Sequence, residues 1–190
     1  MPGRDLEYSA LDRLAPAHAP MSQPRIAPEW PGACFGCSPH NPHGLHLHFE
    51  RTPQGCRASH TLAGHFCGFV GVAHGGIVST LLDEVGAWAV ILHTRHMALT
   101  RHMSTRFVDR VPTGKPLQLE GWVEARSARD ATTRAHIRDA SGKLLAEAEA
   151  GWALASAAVV ARMSGLPRES VARFLEAACS EGDGHSHGPG

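Results

Sequence analysis

The chain carries a short run in which residue type and spacing suggest chemistry: His74-Gly75-Gly76-Ile77-Val78-Ser79-Thr80-Leu81-Leu82-Asp83-Glu84. A glycine pair opens an apolar segment, and two adjacent acids sit near its middle. From Ile77 to Leu92 the apolar residues leave almost no polar stripe, so the spacing predicts a helix buried on most sides. A carboxylate in such a place, left without partners, costs roughly 2–7 kcal/mol or takes up a proton. Asp83 therefore calls for a role. At a helix N-terminus the N–H groups are free and the dipole end is positive, and glycine lets a ligand approach the backbone. Gly75 and Gly76 suit an oxyanion site, where each aimed donor is worth about 3–4 kcal/mol. Offsets of seven, four and three place Asp83 on one face with Gly76, Ser79, Thr80, Gly86 and Ala87. Glu84 is turned by about 100° onto the stripe of Ile77, Leu81 and Trp88, which gives it a supporting or interface role. The competing structural reading makes both acids ion-pair partners of Arg101, Arg106 or a neighbouring subunit. His74, just before the helix, reads as a cap or as a group that helps polarise a carbonyl.

The elements that must hold these residues follow from periodicity. Leu45, Leu47 and Phe49 alternate with His46, His48 and Glu50, which predicts a half-buried strand, and a second is expected near Cys56–Leu62. A Gly-rich run from Gly64 to Gly76 leads into the helix. Four strands are then expected at about 98–110, 117–126, 132–138 and 144–155, with Asp139-Ala-Ser-Gly142 as the turn between the last two. The order predicts an α+β domain in which a curved antiparallel sheet wraps a long central helix. Residues 1–29 read as an N-terminal extension, 30–156 as the domain, and 157–190 as a C-terminal helix with a Gly/His tail expected to be disordered. Within that last segment Val171, Phe174, Leu175 and Ala178 have amphipathic spacing, with Pro167 near the first turn.

Composition narrows the function classes. The 190 residues hold 18 basic and 18 acidic side chains with no concentrated basic run, so the footprint of a nucleic-acid binder is missing and no nucleic-acid partner is expected. Asp83 and Glu84 interrupt the longest apolar stretch, which disfavours a membrane span. The first residues lack the apolar segment of a secretory signal. The five cysteines, Cys34, Cys37, Cys56, Cys67 and Cys179, are odd in number and scattered, so reduced thiols and a cytoplasmic location are expected. Cys34-x2-Cys37-x2-His40-x2-His43 has zinc-ligand residue types. All four ligands would come from ten consecutive residues, however, whereas structural sites draw pairs from two segments. No metal and no cofactor are expected.

The helix motif, together with Cys34-Phe-Gly-Cys37 and Asn41-Pro42-His43-Gly44-Leu45-His46-Leu47-His48-Phe49, resembles the hot-dog-fold thioesterases of the phenylacetate-pathway type. The resemblance covers about residues 30–156, and Leu99-Thr100-Arg101-His102-Met103 fits the family's threonine-bearing strand after the helix. It implies a hot-dog fold and hydrolysis of an acyl-coenzyme A or acyl-carrier-protein thioester. It also implies a homodimer or homotetramer with the site at the subunit interface, and Asp83 as general base or nucleophile. By the same resemblance Thr100 orients the attacking water or the acid. Arg101, Arg106 and Arg110 are candidates to meet coenzyme A phosphates, and Ser79, Thr80 and Glu84 to line the substrate site. The alternative function is a non-catalytic acyl-coenzyme A-binding or regulatory protein that keeps the pocket without turnover.

Overall fold

A computed structural model describes residues 30–180; the expected extension at 1–29 and the end of the Gly/His tail at 181–190 lie outside the described residues. The chain order is β1 (Glu50–Thr52), β2 (Gly55–Thr61), β3 (Cys67–Phe69), β4 (Val72–Ala73), α1 (Gly75–Thr94), β5 (Met97–Phe107), β6 (Pro116–Arg126), β7 (Asp130–Asp139), β8 (Leu144–Ala155), α2 (Ala157–Ser164) and α3 (Arg168–Cys179). β3 and β4 form a small hairpin, and the other strands form one antiparallel sheet in the order β1-β2-β6-β7-β8-β5. The sheet curls around α1, as the alternation of apolar and polar residues in β6, β7 and β8 requires when one face is buried.

Along α1, Val78, Leu81, Leu82, Val85, Ala89 and Val90 are almost wholly buried. By length and composition this helix could cross a membrane, yet here it is the core around which the sheet closes. Its depth is set by two glycines. A Cβ on Gly121 of β6 would lie 2.6 Å from the Val85 carbonyl oxygen, and one on Gly86 would lie 2.9 Å from the Trp152 ring. Helix and sheet thus approach backbone to backbone. Cys56 adds a thiol that donates to Val85 O at 3.2 Å, and Trp152 Nε1 donates to Thr133 Oγ1 at 2.8 Å in the buried layer beneath.

Two expectations are corrected. Leu45, Leu47 and Phe49 are each 2 % exposed between exposed His46 and His48, so the burial alternates as read, but the segment is not a strand. Its amides turn to the cysteine loop instead: Leu45 N–H donates to Phe35 O at 2.7 Å and Leu47 N–H to Gly36 O at 2.9 Å. His46 sits in the left-handed region (φ 51°), which breaks the extended run. The C-terminal part, in turn, holds two helices. Ser156 caps α2 through its hydroxyl, Gly165 ends it at φ 72°, and Pro167 is the N-cap of α3. The spacing read in α3 is the packing seen: Val171, Phe174, Leu175 and Ala178 are buried, and the Phe174 ring meets Trp30 and Trp88 edge-on at 5.1 and 5.7 Å.

Candidate active site

The entry to α1 is held from both sides. Ala73 N–H donates to Val111 O at 2.8 Å and His74 N–H to Phe66 O at 2.9 Å, so the first helical turn is fixed relative to the sheet. His74 is the N-cap: its Nδ1 accepts the Gly76 N–H at 3.0 Å. In the neutral ring that leaves the proton on Nε2, as a donor facing outward from an exposed side chain. The Gly76 amide is therefore engaged, while the Gly75 N–H meets no acceptor among the described residues. Of the two glycines named from sequence, Gly75 is the one with a free donor at the positive end of the helix dipole. The Phe107 ring stands beside it, 3.6 Å from where a Gly75 Cβ would be.

Two turns into the helix, Asp83 accepts a hydrogen bond from Thr100 Oγ1 at 2.8 Å. Thr100 lies on β5 at a bulge: Thr100 pairs with Trp152 and His102 with Gly151, leaving Arg101 as the extra residue. Burial pushes the Asp83 carboxyl above its ordinary value, the Thr100 bond pulls it back, and negative charge on Cys34 raises it further. None of these groups is a cation. Arg101 and Arg106, the cations considered as partners for the two acids, pair elsewhere: Arg101 with Asp130 at 3.1 Å and Arg106 with Glu147 at 2.7 Å. Ser79 is half-buried on the helix, and the Thr80 hydroxyl donates to Gly76 O at 2.9 Å, so it serves the helix backbone.

Glu84 points another way, as its helical offset requires. Its Oε1 accepts from Cys34 Sγ at 3.2 Å, and a Cβ on Gly36 would fall 2.1 Å from its carboxyl carbon. Burial holds this carboxyl well above its ordinary value, with Cys34 and then Asp83 adding to the rise. The Cys34 thiol is drawn down to about 5, foremost by the hydrogen bond from Cys37, and Cys37 is pushed up as the donor of that pair. Sequence reasoning missed this contact. Its only signal was a glycine inside Cys-x2-Cys and an acid on an apolar helix stripe, 50 residues apart.

A cavity of about 350 Å³ lined by Thr94, His96, Arg126 and Leu154 sits at the far end of α1 from Asp83. Around the candidate site the surface is open and apolar, with Phe69 80 % and Val70 86 % exposed on the β3–β4 hairpin and Phe107 and Val108 exposed at the end of β5.

Residues 70–146 match the family model described as the thioesterase superfamily. A crystal structure of a thioesterase-superfamily protein is 27 % identical over 76 % of this chain and 72 % of its own, with a TM-score of 0.60. The fold is the hot-dog fold. A second X-ray structure from that superfamily is 29 % identical over 58 % of this chain and 85 % of its own, with a TM-score of 0.54. The fold is shared with a Streptococcus mutans protein solved bound to acetyl-CoA, 17 % identical over 57 % of this chain and 87 % of its own, at a TM-score of 0.53. Among curated proteins no match is found. The matched segment holds the hot-dog helix, β5 to β7 and the start of β8, and so includes both Asp83 and Thr100.

Proposed function

We propose that this hot-dog protein hydrolyses an acyl thioester, with coenzyme A esters first among the substrates. The observation that carries the reading is the Thr100–Asp83 hydrogen bond on the open side of the hot-dog helix, where no cation neutralises the acid among the described residues. In the reaction the thioester carbonyl lies at the N-terminus of α1, polarised by the Gly75 amide, with the outward Nε2–H of His74 as a second donor. Eight residues of helix put Asp83 about 12 Å from Gly75 of its own chain. In this reading the acid therefore comes from a second copy: its Asp83, oriented by Thr100, takes a proton from water as the water adds to the carbonyl carbon, or attacks that carbon itself. The tetrahedral intermediate then collapses with loss of the thiolate, which takes up a proton; where Asp83 is the nucleophile, water then hydrolyses the acyl–aspartyl anhydride and frees the carboxylate. Thiolates are good leaving groups, so a positioned base and an oxyanion donor are sufficient apparatus. Coenzyme A is the first carrier to test because it is what the Streptococcus mutans protein of this fold was bound to.

The working form in this reading is a homodimer or homotetramer in the cytoplasm. Support comes from β5, an eleven-residue strand at one sheet edge, and from exposed Phe69, Val70, Phe107 and Val108 near the entrance to α1. A second copy would cover these groups and close the acyl site that a single chain leaves open.

The test is a hydrolysis screen of short, medium, long and aromatic acyl-coenzyme A esters, with Asp83→Asn measured beside the wild type. Turnover on the preferred ester should fall by at least ~100-fold, the lower end of what a general base contributes. Affinity for a non-hydrolysable analogue should be retained. Absence of hydrolysis of every ester by the wild type, with the analogue still bound, would overturn the enzyme reading in favour of an acyl-coenzyme A-binding protein.

A further inference from the structure

We propose that Cys34, Cys37 and Glu84 form a binding site for a soft divalent cation, zinc foremost, that clamps the N-terminal loop onto the hot-dog helix. The site is separate from the thioester chemistry and stands whether or not hydrolysis is found.

The spacing argument against zinc assumed four ligands from Cys34 to His43. Folding changes the ligand set: the third member comes from α1, and one ligand atom from each of Cys34, Cys37 and Glu84 lies within 4.8 Å of the others. The ligands now come from two segments 50 residues apart rather than from ten consecutive residues, and three protein ligands with one open position is an arrangement zinc accepts. A tetrahedron with Zn–S near 2.3 Å and Zn–O near 2.1 Å has S···O edges of about 3.6 Å, and Cys34 Sγ already stands 3.2 Å from Glu84 Oε1. Three protein ligands leave the fourth position to water, and all three residues are half-buried, so solvent and ion can reach them.

Gly36 is needed for the approach, since any side chain there would overlap Glu84. Two thiols and a carboxylate converge here. Thiolate donors select zinc or another soft ion over calcium or magnesium.

The full chain, produced with zinc in the medium and purified without chelators, should carry about one zinc per chain by elemental analysis. Exchange for cobalt should give the thiolate-to-metal charge-transfer absorption in the near ultraviolet, a band that histidine-rich segments cannot produce. Cys34→Ser and Cys37→Ser should each abolish the band, and Cys67→Ser should keep it. Glu84→Gln should weaken zinc binding by at least ~10-fold, since loss of a ligand costs no less than loss of an outer partner. Circular dichroism checks the fold of each variant, and if either serine variant is misfolded, the Glu84→Gln affinity decides. The proposal is overturned if the reduced wild type gives no cobalt–thiolate band. It is also overturned if Glu84→Gln binds zinc as tightly as wild type, or if Cys34 and Cys37 are recovered as a disulfide that takes up no zinc after reduction.

Discussion

On the outer face of the sheet Arg134 reaches Glu124 at 2.8 Å and Glu149 at 3.3 Å, Arg106 reaches Glu147 at 2.7 Å, and Lys143 pairs with Asp109. On α1 the partners of Asp83 and Glu84 are a hydroxyl and a thiol. The chain has equal numbers of acids and bases, so the contrast is one of placement. Paired acids in water are cheap to ionise and contribute little, since exposed ion pairs are typically worth about 0–1 kcal/mol. Acids on a buried helix without cations keep a high affinity for protons, and for metal ions in the case of Glu84 with its thiols. What separates the carboxylates proposed to work from the solvated ones in this molecule is the nature of the partner rather than the presence of one.

The largest effect that can break the contrast is the pair Asp83→Asn and Glu124→Gln. The first should reduce thioester hydrolysis by at least ~100-fold and the second should leave it within error. Equal losses would show that the carboxylates are all structural. Glu84→Gln should cost far less turnover than Asp83→Asn, because its side chain faces the cysteine loop; the reverse order would exchange the roles of the two acids. Next comes the contact that sets the depth of the helix. Gly121→Ala forces a Cβ against the Val85 backbone and should destabilise the fold by about 1–3 kcal/mol in urea titration. A neutral result would mean that α1 shifts freely and that its acids are not held in place. Thr100→Val removes the hydroxyl from Asp83 while keeping the β-branched shape, and turnover should drop by about 10-fold, or 1.4 kcal/mol, at unchanged stability. The smallest effect belongs to the outer face. The Lys143 hydrogen bond holds Asp109 below the ordinary 3.8, so its contribution is complete above that value and fades as pH falls through the lower folded value. Lys143→Gln should therefore remove this small contribution at pH 7 and make no difference once the pH is below the folded value, where the wild type has lost it too.

Much of this was legible in the residues because it rests on local periodicity. The run Ile77–Leu92 could only be a core helix, and the alternations in Leu117–Ala125 and Ala146–Trp152 could only be half-buried strands. Helical offsets also separated Asp83 from Glu84 before any coordinates, and the two do find partners on different elements.

Tertiary structure decided the matters that depend on who is nearby. Leu45–Phe49 alternates like a strand, but its amides found carbonyls at Phe35 and Gly36, and periodicity carries no information about which carbonyl is in reach. Arg101 and Arg106 were open to acids or phosphates by type; the bulge at Thr100 and the register of β5 against β8 gave them Asp130 and Glu147. The His74 ring took the Gly76 amide and left that of Gly75. Cys34 and Glu84, 50 residues apart, met only because Gly36 and the Gly121–Val85 approach bring loop, helix and sheet together. Residue types and local repeats thus determined the elements and the face each presents, since those depend on neighbours within a few residues. Partners across the fold depend on packing at ångström scale, which only the closed core supplies.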